Sequence, residues 1–469
     1  MKQPNIILIV CDQLRYDCVG AGKTYPVKTP NLDRLASEGM SFTNSYTSIP
    51  ICCPARMSLL SGKRSESFSA YWNFDITLPV PSLTPADYTF TKALSEAGYR
   101  TAYVGKWHGS ENYTPLDFGF DSYYSEGDYF AEVREAFPEH RFVSDWKGGV
   151  DELPLEYSKT HSMARKAIET LDRLKACGAP YHLRLDFSEP HLPCVPNKKF
   201  LDLYSPETVP KWGSFGDTFE NKPYIQEQQL CNWGLEDMTW EDWSQTVARY
   251  YGIITQMDDA VGKLMAYMDK NGLWDNTLLI FTTNHGDMCG AHRMMDKHYN
   301  MYEDIVKVPL IVRWKDVVKP ASVCHEYVVN TLDIAPTVCE AAGLPLQPDF
   351  HGYSLKELLT GAGHGARDCA VSTYNGQQFG LYCERMIVSD GIKYIWNLTD
   401  IDELYDLKND PYELNNRIDD QAYAGILSVL RKKLYDELKR CGDGLLRGSW
   451  LDNQLLNGKK ITKRKGYFQ

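Results

Sequence analysis

Hydrophobic and polar positions along this chain fall into two alternating textures. The run IILIV, Ile6–Val10, is apolar and largely β-branched, as a strand buried on both faces requires. It leads into TPNLDRLASEG, where Thr29 is the expected N-cap, Pro30 takes the first helical position and Gly39 is the stop. The textures alternate again with FTKALSEAGY as a helix and RTAYVGK, Arg100–Lys106, as a strand feeding a loop. Further along, Val247, Tyr250, Ile254, Met257, Val261, Leu264 and Met268 recur at steps of three and four. That spacing is one face of a long amphipathic helix, ended by Gly272. NTLLIFTTNHGD then opens on another strand. Strands alternating with helices predict an α/β fold: a large mixed, mostly parallel sheet flanked by helices. In such sheets reactive side chains gather at the carboxyl ends of the strands.

Near Gly361–Gly365 the texture changes to short alternating segments such as KYIWNL. An acidic, turn-rich piece follows, TDIDELYDLKNDPYELNN, and then a helix around Ala424–Lys439. The expected division is a catalytic domain over residues 1–365 and a smaller C-terminal α+β subdomain over 366–469, with a short antiparallel sheet. The basic tail KKITKRK reads as a solvated surface. Between Leu201 and Ser244, Trp212, Phe215, Phe219, Trp233, Trp240 and Trp243 stand among polar residues. Two readings are open there: a lid offering aromatic platforms to a sugar, or an insert packing on itself.

Composition narrows the function classes. A chain of 469 residues has room for a large core. Its formal net charge of -12 argues against general binding to nucleic acid or to an anionic membrane. It leaves an anionic small substrate open, because a pocket can be positive on an acidic protein. No run approaches the ~20 apolar residues that span a bilayer, and NIILIV is short for the apolar region of a secretory signal. The 13 cysteines follow no repeating framework, which reads as reduced thiols and a cytoplasmic location. Oligomeric state stays open.

The candidate chemistry stands just after strand-like segments. CDQLRYD brings Asp12 and Gln13, VGKWHG brings Lys106 and His108, and TTNHGD brings Asn284 and His285. Oxygen donors with a ring nitrogen suit a hard divalent cation, while Arg56, Lys106, His108 and Lys297 offer donors to an anion. Taken singly, an aspartate after a strand is more often a cap, and a Lys-Trp-His more often surface. Their joint occurrence at successive strand ends favours function. Cys289 and His292 have zinc-like spacing, but no matching second pair accompanies them. Cys52 and Cys53 are adjacent, so their sulfurs diverge, and a bridge between neighbours would strain the backbone.

Cys52-Cys53-Pro54-Ala55-Arg56 matches Cys-x-Pro-x-Arg. That motif, followed by MSLLSGK, resembles the signature of the type I, formylglycine-dependent sulfatases of the alkaline phosphatase superfamily. The likeness extends in order through PNIILIVCDQ, TPNLDRLASEG, AYVGKWH, EPHLP, LIFTTNHGD, the Lys297–Pro309 stretch and ELYDLKNDPYE. It implies that a maturation enzyme converts Cys52 to formylglycine, with Cys53 filling the tolerant x position. The aldehyde hydrates to a diol; one hydroxyl attacks sulfur, and the second then expels sulfate as the carbonyl re-forms.

The resemblance further implies Asp12, Gln13, Asn284, His285 and residue 52 as ligands of one divalent metal, Ca²⁺ foremost, with Mg²⁺ or Mn²⁺ as the other choices. Arg56 and Lys106 would hold the nucleophile and sulfate. His108 would assist release of the ester, while His191 and Lys297 would contact sulfate and leaving group. Two departures stand out: Asn284 where most relatives carry Asp, and Asp12-Gln13 where many carry two acids. Both lower the negative charge that holds the metal. The expected substrate is a sulfated small molecule or saccharide. A phosphonate monoester or phosphodiester hydrolase is the rival reading, with choline sulfatase and a catalytically silent anion binder behind it.

Overall fold

Side chains of a strand alternate between faces, so a strand with no polar position must be covered on both sides. The first strand obeys this. In the computed structural model, which describes residues 3–76, 78–365 and 367–461, Ile7, Ile9 and Cys11 join one apolar cluster. Ile6, Leu8 and Val10 join another. The strand is β1 (Asn5–Asp12), and the main sheet is completed by β2 (Met40–Tyr46), β3 (Arg100–Gly105), β4 (Ser122–Ser125), β5 (Tyr181–Pro190), β6 (Thr277–Thr283), β7 (Leu310–Trp314) and β8 (Ser322–Val329). The order across this eight-stranded sheet is β4-β3-β5-β1-β6-β7-β2-β8. Only β7 runs antiparallel to its neighbours β6 and β2. Strands β3, β5, β1 and β6 are therefore parallel, and their carboxyl ends line one edge.

Helices Cys52–Ser61 and Asn330–Ala341 pack together over one face, and Lys159–Ala176 and Trp240–Lys270 over the other. All seven positions of the predicted apolar stripe, Val247 to Met268, lie buried in that last helix. The helix Pro30–Glu38 begins and ends where its punctuation predicts, but Thr29 does not cap it through its side chain. The Asp258 carboxylate, reaching across from the long helix, accepts from the backbone N–H groups of Asn31 and Leu32 at 3.1 and 2.7 Å. A tertiary partner has taken the role that local sequence assigns to the cap.

A second sheet, antiparallel and four-stranded, holds β9 (Ala370–Gln377), β10 (Gly380–Ser389), β11 (Ile392–Asn397) and β12 (Glu403–Asp406) in the order β12-β11-β10-β9. On one face Ile387, Tyr394, Trp396 and Leu404 meet Leu427, Leu430, Leu434 and Leu438 of the helix Ala424–Arg440. On the other, Met386, Val388, Ile395 and Tyr405 join the cluster of the main body. The chain is thus α/β, a large mostly parallel sheet with a small antiparallel one closed onto it.

The segment 201–244 packs inward. Trp212 and Trp243 are enclosed, Phe215 and Phe219 nearly so. The Trp212 indole N–H donates to the Cys289 carbonyl at 2.8 Å, beneath the Arg15 guanidinium 4.2 Å from its ring centre. Self-packing, the second of the two readings, describes this insert. Of the basic tail, Lys459 pairs with Asp402, while residues 462–469 lie outside the described residues, as does residue 366 at the expected domain boundary. Cys289 and His292 belong to no group of metal-ligating side chains among the described residues. All 13 cysteines are free. Among the described residues no helix is long and apolar enough to cross a membrane.

Candidate active site

The adjacent cysteines are separated by a helix start. Cys52 is the first residue of the helix Cys52–Ser61, after Ile51 in extended backbone. Consecutive residues on a helix diverge by about 100°, so Cys53 turns into the apolar cluster with Met57 and Leu60. Cys52 turns instead toward the carboxyl end of β1, its sulfur 3.6 Å from Asp12 Oδ1 and 3.3 Å from His285 Nε2. Pro54 sits in the first turn, where a missing N–H costs nothing. Arg56, four residues on, shares the face of Cys52. The dipole of the helix, positive at its N-terminus, favours negative charge at residue 52.

Four cations surround this point. Arg56, fully enclosed, places Nη2 3.3 Å from Asp12 Oδ2 and Nη1 on Asp186, and Arg184 Nε is 2.9 Å from Asp186. Lys106 Nζ lies 2.6 Å from Asp12 Oδ2. It reaches there because Gly105 ends β3 at φ 108° with its Cα against the Asp186 carbonyl, where any Cβ would collide. Lys297 Nζ is 2.7 Å from Asp296 Oδ1 and 3.3 Å from His191 Nε2. Burial opposes ionisation of Asp12, but Lys106 and Arg56 hold its carboxyl well below the usual carboxylate range. Burial and Asp12 push the Cys52 thiol up, yet Lys297, His285 and Lys106 outweigh them and leave it well below the ordinary thiol value. Burial likewise works against the Lys297 charge, and Asp296 more than restores it.

The donor set suits a metal at three positions. Single ligand atoms of Asp12, Cys52 and His285 lie within 4.8 Å of one another, all buried. The His285 Nδ1 is 2.9 Å from the Gly286 carbonyl, which leaves Nε2 free to face Asp12 at 3.3 Å. Gln13, at φ 69°, sends its side chain to Asp296 and Lys297. Its Nε2 donates to Asp296 Oδ1 at 2.8 Å, and its Oε1 accepts from Lys297 at 3.3 Å. Asn284 is differently disposed: its amide nitrogen donates to Asp12 Oδ1 at 2.9 Å. Its Oδ1 accepts from the backbone N–H of His285 and of Gln13 at 2.9 and 3.3 Å.

Lys106, His108 and His191 line one cavity of about 410 Å³ beside this cluster. His108 is held at φ 50° against Phe74, 6.2 Å between ring centres, and its Nδ1 has no hydrogen-bond partner among the described residues. His191 is fixed through Nδ1 to the Leu192 carbonyl at 2.6 Å. All ten sequence-derived residues therefore stand in or beside one region: Asp12, Gln13, Cys52, Arg56, Asn284, His285 and Lys297 in a bonded network, with Lys106, His108 and His191 toward the cavity.

Asp186, Asp296 and Asn73 were not foreseen. Asp186 follows His182 and Arg184 on one face of β5, and a charge inside a buried strand is a readable signal of pairing. Asp296 precedes Lys297 and ties it to Gln13 and His298. Asn73, whose Oδ1 accepts from the Cys53 N–H at 2.9 Å, has no sequence signal.

Comparison with known proteins adds to this geometry. The family profile described as Sulfatase matches residues 4–344, and one described as N-sulphoglucosamine sulphohydrolase, C-terminal, matches residues 290–440. An arylsulfatase of Clostridium perfringens is 28% identical, over 99% of this chain and 99% of its own. A protein solved in complex with its substrate D-glucosamine-2-N,6-O-disulfate superposes with TM-score 0.79 at 23% identity, covering 94% of this chain and 99% of that one. The phosphonate monoester hydrolase of Agrobacterium radiobacter gives TM-score 0.79 at 24% identity, over 93% and 96%. At such identities the two superpositions speak for the fold.

Proposed function

The chain belongs to the sulfatase family, the sulfuric ester hydrolases, and from that footing we propose that it releases sulfate from a sulfated carbohydrate. The nucleophile is residue 52, converted from cysteine to formylglycine by a maturation enzyme. The observation that carries this reading is the position of Cys52: a helix start, with Asp12 and His285 on one side and Arg56, Lys106 and Lys297 around it.

The roles follow from what each group touches. Formylglycine, once formed and hydrated by one water, would supply two hydroxyls on one carbon, one to attack sulfur as the alcohol leaves and one to lose its proton and expel sulfate as the aldehyde re-forms. One divalent ion, Ca²⁺ foremost, would be held by Asp12, Gln13, His285, residue 52 and Asn284, and would acidify the attacking hydroxyl. Arg56, locked between Asp186 and Asp12, presents a fixed charge that needs no reorganisation when negative charge develops. Lys106 and Lys297 neutralise sulfate oxygens. His191 carries its proton on Nδ1, bonded to Leu192, so that Nε2 orients the Lys297 ammonium. His108, facing the cavity, gives a proton to the departing alcohol oxygen.

The division at residues 365 and 366 belongs to this reading, with the antiparallel sheet from Ala370 onward as the closing subdomain. The cytoplasmic location does too, supported by 13 free cysteines. The rival, a phosphonate monoester hydrolase, draws its support from the Asp12-Gln13 pair in place of two acids. The test is sulfate release from N-acetylglucosamine 6-sulfate by enzyme whose residue 52 is shown by peptide mass spectrometry to be formylglycine. Conversion at residue 53, or no sulfate released from sugar or aryl sulfates by fully converted enzyme, refutes the reading.

A further inference from the structure

Beyond the reaction centre the cavity changes character. Tyr129, Phe130 and Phe142 form one wall, with ring centres 5.3 Å apart for the first pair and 5.0 Å for Phe130 and Phe142. Three carboxylates also line it: Glu126, Glu189 and Asp151. Among the described residues lining it, Lys106 and Lys159 alone carry permanent positive charge. Lys106 belongs to the reaction centre. Lys159 is spent between two acids, with Nζ 3.2 Å from Glu126 and 3.3 Å from Glu189.

An anionic group entering this end meets a negative field and displaces an existing ion pair if it is to bond to Lys159. A neutral ring meets an aromatic wall for its apolar face and carboxylates that accept from its hydroxyls. We propose that this cavity is the subsite for the alcohol part of the ester, and that it selects a monosulfated ring with no further negative charge. A leaving group carrying a second sulfate or a carboxylate is rejected. The inference rests on the sulfatase reading, since it assumes that the sulfate sits at Cys52.

The test compares N-acetylglucosamine 6-sulfate with D-glucosamine-2-N,6-O-disulfate on one batch of converted enzyme, at low and moderate salt. The monosulfate should have a kcat/KM at least tenfold higher, with the gap narrowing as salt rises. Glu126→Gln, which leaves Lys159 its Glu189 partner, should shrink the ratio by threefold or more. Equal or faster turnover of the disulfate overturns the proposal, as does a ratio that Glu126→Gln leaves unchanged. If neither ester nor any aryl sulfate is hydrolysed, the reaction assignment has failed, and the cavity is then read by binding. Cys52→Ser protein is titrated with methyl N-acetylglucosaminide and methyl glucuronide. Tighter binding of the neutral glycoside upholds the subsite; tighter binding of the glucuronide, or binding of neither, overturns it.

Discussion

The reaction centre and the cavity beside it are built from the same residue types in opposite proportion. At the reaction end Arg56, Arg184, Lys106 and Lys297 face Asp12, Asp186 and Asp296, all buried and cross-bonded. At the alcohol end a single lysine, Lys159, faces Glu126 and Glu189, with side-chain exposures of 25%, 25% and 10%. Charges of the first kind are fixed before substrate arrives and act in a low dielectric, where preorganisation is worth most. Those of the second kind remain near solvent, where they discriminate by sign more than they bind. On the proposed reading, recognition of the transferred group falls to the buried cluster and selection of its carrier to the cavity beside it.

The strongest way to break this contrast is at residue 52. Cys52→Ala should reduce sulfate release to the limit of detection, while Cys53→Ser should retain turnover and lose only stability from its apolar site. Activity surviving in Cys52→Ala would move the reaction end elsewhere. Next is Asp186→Asn, which leaves Arg56 and Arg184 short of a buried counter-charge. Urea unfolding should show a loss of about 3–5 kcal/mol, and kcat should fall with it. A loss below about 1 kcal/mol would mean that the centre is wetter than its burial states.

The alcohol end is sharpened by acid. Burial works against ionisation of Glu126, but Lys159 and Lys106 outweigh it and draw its carboxyl down to about 2. A depressed carboxyl stabilises the fold above its unfolded value near 4.3 and loses that contribution as pH falls toward about 2. Allowing for partial exposure, the loss is on the order of 2 kcal/mol. Glu126→Gln should flatten the fall of thermal stability between those pH values; an unchanged slope would dissolve the ion pair. The smallest effect concerns the metal. Asn284→Asp restores a charge beside Asp12 and should tighten Ca²⁺ binding about tenfold by calorimetric titration. No change would place residue 284 in a supporting role, in keeping with its donation to Asp12.

Much of this was legible in sequence, unevenly. Strand β1, the helix Trp240–Lys270 and the ten candidate residues follow from periodicity, strand ends and the Cys-x-Pro-x-Arg resemblance, because each is a local pattern. Asp258 capping the helix Pro30–Glu38 joins residues 227 apart in sequence, and no window along the chain contains both. The direction of the tryptophans between Leu201 and Ser244 was undetermined, because Trp212 turns inward only once Cys289 and Arg15 are beneath it. Glu126, Lys159 and Glu189 each look like ordinary surface charge until β4, the helix Lys159–Ala176 and β5 bring them together.

The account turns on whether the reaction end is built for sulfuryl transfer. A sulfate ester carries less negative charge than the matching phosphate monoester, so one metal and the fixed cations of Arg56, Lys106 and Lys297 suffice for it. The direct measurement is kcat/KM for 4-nitrophenyl sulfate, 4-nitrophenyl phosphate and 4-nitrophenyl phenylphosphonate on one batch of fully converted, metal-loaded enzyme. The sulfate should be the best of the three. A preference of tenfold or more for the phosphonate or the phosphate, about 1.4 kcal/mol of transition-state discrimination, would contradict the account.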